Sequence, residues 1–134
     1  MKLCTSIRTQ DNVSEGISTF YAELLRIRKM IEASEKKLPM ISLIDEIYKG
    51  TNSKDRIYAA EETVRRLAKP YAITLITTHD FELCDLENDA DIAVKNYHFR
   101  EYYKEEKLHF DYKLREGRCT TTNARYLLHM AGIL

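Results

Sequence analysis

Apolar residues recur at intervals of three and four along three segments of the chain. This spacing predicts amphipathic helices over residues 17–34 and 54–69, and a closing helix over residues 123–130. Pro70 ends the second helix because proline cannot continue its hydrogen bonds, and Gly132 ends the last one.

Two short apolar runs follow the first two helices. Residues 40–44 and 71–76 are rich in aliphatic side chains, and polar residues come soon after each run. Such runs fit buried parallel strands, so the helix between them completes a βαβ unit. Residues 3–9 are expected to form a further short strand, and residues 81–86 a short helix.

The pattern changes after residue 90. Apolar and polar side chains alternate strictly from Lys107 to Arg115, which predicts a strand with one face in solvent. With residues 103–106 as the connection, this region is expected to form an antiparallel hairpin. The predicted fold class is therefore α/β: parallel strands with crossover helices, followed by a C-terminal antiparallel hairpin and helix.

Composition excludes several classes of protein. The chain has 134 residues and 15.7 kDa, enough for one domain. Its 21 basic and 21 acidic residues cancel, so no overall positive field attracts nucleic acid or a membrane. No apolar run approaches the roughly 20 residues that span a bilayer, and no secretory signal is visible. Three widely separated cysteines favour a reducing compartment, so we expect the cytoplasm.

Polar side chains come after each of the two predicted parallel strands. Asp45 and Glu46 follow the first strand, and His79 follows the second, one strand–helix–strand crossover later. If the strands are neighbours, the three side chains face one reaction centre beyond the carboxyl ends of the strands. Such an Asp holds Mg²⁺, usually through water, while the Glu orients an attacking water and the His stabilises a γ-phosphate. The alternatives are solvated acidic residues at a strand end and a capping or core histidine.

A third cluster opens the first helix. Residues 14–19 combine glycine with hydroxyl side chains, and free backbone N–H groups at such a helix start can bind an anion. An ordinary helix cap made by Ser18 or Thr19 is the alternative.

Four segments in the same order resemble the MutS-type mismatch-repair ATPases. Residues 15–20 with Ala22-Glu23 are similar to that family's signature loop and helix. Leu43-Ile44-Asp45-Glu46-Ile47 with Gly50-Thr51 resembles its Walker B strand and the following loop, and residues 77–83 resemble its switch-histidine segment. Residues 110–114 with Gly117, and residues 131–133, resemble the family's C-terminal hairpin and helix.

The resemblance implies part of a P-loop NTPase domain of the ABC class, which binds ATP and Mg²⁺ between the two ATPase domains of a dimer. Asp45 would then serve Mg²⁺, Glu46 would be the catalytic carboxylate, and His79 would contact the γ-phosphate or the attacking water. Gly16 and Ser18 would reach across the homodimer to the partner's γ-phosphate. Thr51 and Asn52 would lie in the loop that communicates between the two sites. DNA would be bound by domains outside this chain, and no membrane is involved.

Two departures from the family pattern limit these expectations. None of the four glycines belongs to a GxxxxGK[ST] phosphate loop, so residues 1–134 resemble only the C-terminal portion of the ATPase domain. The chain alone is expected to be inactive, and a non-enzymatic dimerisation or regulatory module is the alternative. Missing sheet neighbours would also leave apolar surface exposed, so we expect self-association. Residues 119–124 differ from the family's usual segment, which indicates a divergent branch.

Overall fold

The computed structural model describes residues 1–7, 16–120 and 123–134, and, of residues 16–18, the backbone alone. The chain divides into two compact units, Met1–Val94 and Lys95–Leu134. The α/β class with parallel strands, crossover helices and a C-terminal hairpin and helix is confirmed.

A three-stranded parallel sheet forms the centre of the first unit. Its strands are β1 (Lys2–Ser6), β2 (Met40–Ile44) and β3 (Ala72–Ile76), in that spatial order. The prediction for β2 is confirmed, and β3 begins one residue later than predicted. Because β2 is the central strand, it is the strand whose side chains are buried or half-buried throughout.

Helices connect the strands. Helix α1 runs over Gly16–Ser34 and helix α2 over Ser53–Leu67, and a 3₁₀ helix over Phe81–Asn88 follows β3. Asn52 starts α2 because its side chain accepts a hydrogen bond from the backbone N–H of Asp55. The predicted helices are confirmed with small shifts of their ends.

The core lies on one side of this sheet. Alternation along β2 buries Met40, Ser42 and Ile44, and the helices contribute the apolar residues that complete the cluster: Ile27, Met30, Ala60 and Leu67. The alternate positions of the outer strands leave apolar side chains in solvent, with Leu3, Ile73 and Leu75 each more than half exposed. Exposed apolar surface is thus present as expected, and self-association stays a prediction.

The second unit contains two short ladders and a helix. Strand β4 (Tyr97–His98) pairs with β7 (Arg115–Glu116), β5 (Glu101–Lys104) pairs with β6 (Lys107–Phe110), and α3 covers Ala124–Met130. No helix in the described part of the chain is long and apolar enough to cross a membrane.

The hairpin differs from its prediction at both ends. The connection is only Glu105-Glu106, because Tyr103 and Lys104 belong to β5. Both glutamates have positive φ, the conformation that lets a two-residue turn follow the twist of the strands. At the other end the strand stops at Phe110 although the alternation continues, since Tyr112 has a left-handed backbone with φ of 56°.

Candidate active site

The carboxyl ends of the three parallel strands form one edge of the sheet. Hydrogen bonding between strands continues just past these ends: Asp45 N donates to Ser6 O at 2.9 Å, and Thr77 N donates to Ile44 O at 3.0 Å. Strands β2 and β3 are direct neighbours, so Asp45 lies beside Thr77. This edge is where parallel sheets bind ligands.

Thr77 ties the first two residues after β2 together. Its hydroxyl donates to Asp45 Oδ1 at 2.6 Å and accepts the backbone N–H of Glu46 at 2.8 Å. Glu46 itself has a φ of 47°, a left-handed conformation that is uncommon for a residue with a side chain. The two bonds hold the chain in that conformation as it leaves the sheet.

The structure brings Glu46 and His79 together. Glu46 Oε1 lies 3.4 Å from His79 Nε2, and Glu46 Oε2 lies 3.1 Å from Lys49 Nζ. The Glu46 side chain is one-third exposed, whereas the imidazole of His79 is 91% exposed. The pair is therefore open to a ligand approaching from solvent.

The turn after Glu46 is anchored in the core. Tyr48, with a φ of 54°, donates its backbone N–H to a carboxylate oxygen of Glu23 at 2.9 Å. Its hydroxyl and that of Thr63 on α2 are 2.7 Å apart, and its ring packs edge-on against Phe20. Burial raises the pKa of the Tyr48 hydroxyl above its usual value.

Thr51 and Asn52 lie at the entrance to α2. Thr51 N donates to Tyr48 O at 3.4 Å, and Asn52 caps the helix. The hydrogen bonds described for these two residues stay within the loop and the first turn of α2. None of the described hydrogen bonds joins Thr51 or Asn52 to Asp45 or Glu46.

Arg56 connects that helix start to the segment that contains His79. Its Nε and Nη2 atoms donate to the two carboxylate oxygens of Asp80 at 2.6 and 2.7 Å, and Nη1 donates to Thr51 O at 3.1 Å. The Arg56 guanidinium holds the pKa of Asp80 below its usual value.

The residues predicted to act across the dimer are only partly described. Gly16 is the first residue of α1, and Ser18 lies in its first turn. The loop before Gly16 and the side chain of Ser18 lie outside the described part of the chain. Their role at a partner's phosphate stays a prediction.

The edge of the sheet at Asp45 carries oxygen ligands of the kind that Mg²⁺ prefers. Asp45 offers carboxylate oxygens beside the hydroxyl of Thr77. Mg²⁺ is commonly held by one or two carboxylates together with water and substrate phosphates. Among the described residues, no group of three or more His, Cys, Asp or Glu side chains could hold a metal ion alone. Asp45 is therefore the residue at this edge whose oxygens could hold a magnesium ion.

Sequence reasoning assigned no role to three residues that organise this edge: Glu23, Arg56 and Thr77. The sequence did carry a signal for Arg56. A basic residue in the first turn of a helix is disfavoured by the helix dipole, so an acidic partner from another element is expected. Glu23 could have been noted as an acidic residue within an otherwise apolar stretch, and Thr77 as a hydroxyl two positions before His79.

Parallel strands joined by helices, with an acidic pair and a histidine at adjacent strand ends, are the arrangement expected in part of an α/β domain of the P-loop NTPase type. The family model for MutS domain V matches residues 1–133. The chain belongs to the MutS family and corresponds to the C-terminal part of its ATPase domain.

Curated relatives agree with this assignment. The chain is 31% identical over 130 residues to the DNA mismatch repair protein MutS of Aquifex pyrophilus, covering 96% of this chain and 15% of that protein. It is 28% identical over 133 residues to the protein of the same name from Natronomonas pharaonis, covering 98% and 15%. It is 29% identical over 133 residues to the DNA mismatch repair protein MutS of Carboxydothermus hydrogenoformans, covering 98% of this chain and 16% of that protein. The chain spans about one-seventh of the length of these relatives.

Proposed function

We propose that this chain provides the hydrolytic part of an ATP site in a MutS-type ATPase. ATP binding and hydrolysis would drive a conformational change that is transmitted to DNA-binding regions, as in DNA mismatch repair. The observation that carries the proposal is the 3.4 Å approach of Glu46 Oε1 and His79 Nε2 at adjacent strand ends. The match to MutS domain V supports it.

Glu46 is the general base in this proposal. Its carboxylate orients the attacking water and accepts a proton as the water oxygen bonds to the γ-phosphorus, while the bond from that phosphorus to the β-phosphate oxygen breaks and ADP leaves. His79 donates a hydrogen bond to the γ-phosphate or to the water, and its exposure lets a bound nucleotide reach the imidazole. Asp45, fixed by Thr77, would hold Mg²⁺ through water. When bound, Mg²⁺ would neutralise charge on the β- and γ-phosphates.

A complete site requires more than these residues. The 134 residues contain no GxxxxGK[ST] motif, so the backbone cradle and lysine for the phosphates must come from elsewhere. We propose that the chain alone does not hydrolyse ATP and that the active form is a homodimer. Gly16 and Ser18 would complete the partner's site, and Thr51 and Asn52 would communicate between the sites. The cytoplasmic location stays a prediction.

Replacing the proposed base tests the assignment. In the full-length protein, Glu46→Gln should still bind ATP but hydrolyse it at least about a hundredfold more slowly, because the amide cannot accept the proton. Retention of radiolabelled ATP on a stable dimer is the measurement. Glu35→Gln is the matched control, since Glu35 is an exposed partner of Arg66 on the surface. Undiminished turnover by Glu46→Gln contradicts the assignment.

Mixing two inactive variants tests the action across the dimer. Ser18→Arg would block the site to which this residue contributes, and Glu46→Gln would disable the site that contains the substituted glutamate. A mixed dimer should regain one working site, which is measured as ATP turnover above that of either variant alone. Absence of any rescue would show that Ser18 does not act in trans.

A further inference from the structure

The backbone around His79 is held on both sides, although its ring lies in solvent. On one side, Thr77 is bonded to Asp45 and to the backbone of Glu46. On the other side, the carboxylate of Asp80 accepts two hydrogen bonds from the guanidinium of Arg56. Among the described ion pairs, the 91% exposed imidazole has Glu46 as its partner, so the position of the ring depends mainly on these two flanks.

The Arg56–Asp80 contact is the stronger of the two restraints. The guanidinium donates two parallel hydrogen bonds, and the side chains of Arg56 and Asp80 are only 23% and 12% exposed. A bidentate guanidinium–carboxylate pair is among the strongest and most directional interactions between side chains. Partial burial shields it from the screening that weakens surface ion pairs.

Arg56 also holds a third group. Its Nη1 donates to the carbonyl of Thr51, in the loop that leads into α2. One guanidinium therefore binds both the loop after β2 and the segment after β3. A displacement of either segment must move the other or break these bonds.

We propose that Arg56 is a positioning residue: by holding Asp80 it fixes His79 over Glu46, and through Thr51 it couples the loop of residues 50–52 to that histidine. This inference rests on the proposed function, in which His79 assists hydrolysis. Arg56 itself acts through Asp80 and not on the nucleotide. Its loss should therefore lower kcat and leave KM for ATP nearly unchanged.

The test compares Arg56→Ala, Arg56→Lys and Arg66→Ala in the full-length protein. Arg66 is the matched control because it lies on the same helix and pairs with Glu35 on an exposed surface. Arg56→Ala should lower kcat roughly tenfold with less than about a twofold change in KM, because a small misplacement of a reacting group is costly. Arg56→Lys, which keeps the charge but not the bidentate pair, should fall between it and the unaltered protein.

Hydrogen exchange supplies a second readout that does not depend on ATP turnover. The backbone N–H groups of Asp80 and Leu83 are bonded within this segment. Mass spectrometry of peptides covering residues 77–84 should show at least about tenfold faster exchange in Arg56→Ala, and no change in Arg66→Ala.

Three results overturn the inference. Exchange in residues 77–84 that matches the control means that Arg56 does not hold the segment. Faster exchange with unchanged kcat means that the restraint does not serve the reaction, and a raised KM with unchanged kcat means that Arg56 acts on nucleotide binding. Full turnover by Glu46→Gln would instead refute the proposed function, and hydrogen exchange would still decide whether Arg56 fixes the segment.

Discussion

Two turns of this molecule each contain a pair of left-handed residues that carry side chains, and the pairs are held in different ways. After β2, Glu46 and Tyr48 have φ values of 47° and 54°. In the hairpin of the second unit, Glu105 and Glu106 have values of 53° and 60°. Such backbone costs on the order of 1 kcal/mol per residue, so each turn needs compensation.

The compensation comes from distant residues in the first turn and from local pairing in the second. Glu46 and Tyr48 donate their N–H groups to Thr77 and Glu23, which are 31 and 25 positions away. The left-handed conformation of Glu105 and Glu106 is imposed locally, because Lys104 pairs with Lys107 on either side of these two residues. Strained backbone held by several distant contacts is typical of functional sites, because it fixes a side chain before the ligand arrives.

The largest expected effect in this comparison comes from removing the buried anchor of the first turn. Glu23→Ala should reduce the free energy of unfolding by about 2–3 kcal/mol, because the buried N–H of Tyr48 loses its hydrogen-bond acceptor. Glu23→Gln keeps an oxygen at that position and should lose less. Urea unfolding measures both, and equal losses would show that the hydrogen bond is not the source of the effect.

Two threonines on and just after β3 sharpen the comparison. Thr77→Val should cost about 1 kcal/mol, since its hydroxyl bonds to Asp45 and Glu46. Thr74→Val should be neutral or slightly stabilising, because the buried Thr74 hydroxyl bonds to none of the described residues. Urea unfolding of the two variants is the measurement. A loss in Thr74→Val as large as that in Thr77→Val contradicts the role given to Thr77.

The hairpin turn should respond in the opposite direction. Replacing Glu105-Glu106 by Asn-Gly should stabilise the second unit by about 0.5–1 kcal/mol, because these residues adopt positive φ at little cost. Slower amide hydrogen exchange in residues 101–110, compared with the unaltered protein, would detect the gain. A destabilised hairpin would mean that the glutamate side chains hold this turn through contacts of their own.

The smallest expected effect is a pH dependence in the second unit. Hydrogen bonds from Arg115 lower the pKa of Asp111 from 3.8 to about 2. A lowered folded-state pKa means that the pair contributes stability above pH 3.8, and that this contribution is lost as the pH falls through about 2. Carboxyl carbon shifts should report that midpoint, and Arg115→Ala should return it toward 3.8. A midpoint near 3.8 in the unaltered protein would refute the pairing in solution.

The elements of the first unit could be predicted because each has a local signature. The apolar run of residues 40–44 matches β2 at both ends, and the three- and four-residue spacing locates α1 and α2 within a few residues. The hairpin was predicted less well, because alternation continues through Tyr112 although the strand ends at Phe110. Alternation states which residues share a face, and hydrogen-bonded partners alone decide where a strand stops.

The sequence by itself determined that Asp45, Glu46 and His79 would lie at one edge, because neighbouring parallel strands end at the same side of a sheet. Only the tertiary structure decided how that edge is held. Thr77, Glu23 and Arg56 act on residues 24 to 32 positions away, and no local periodicity encodes such contacts. Side-chain direction and packing across three elements create them, so they exist only once the sheet and its helices have assembled.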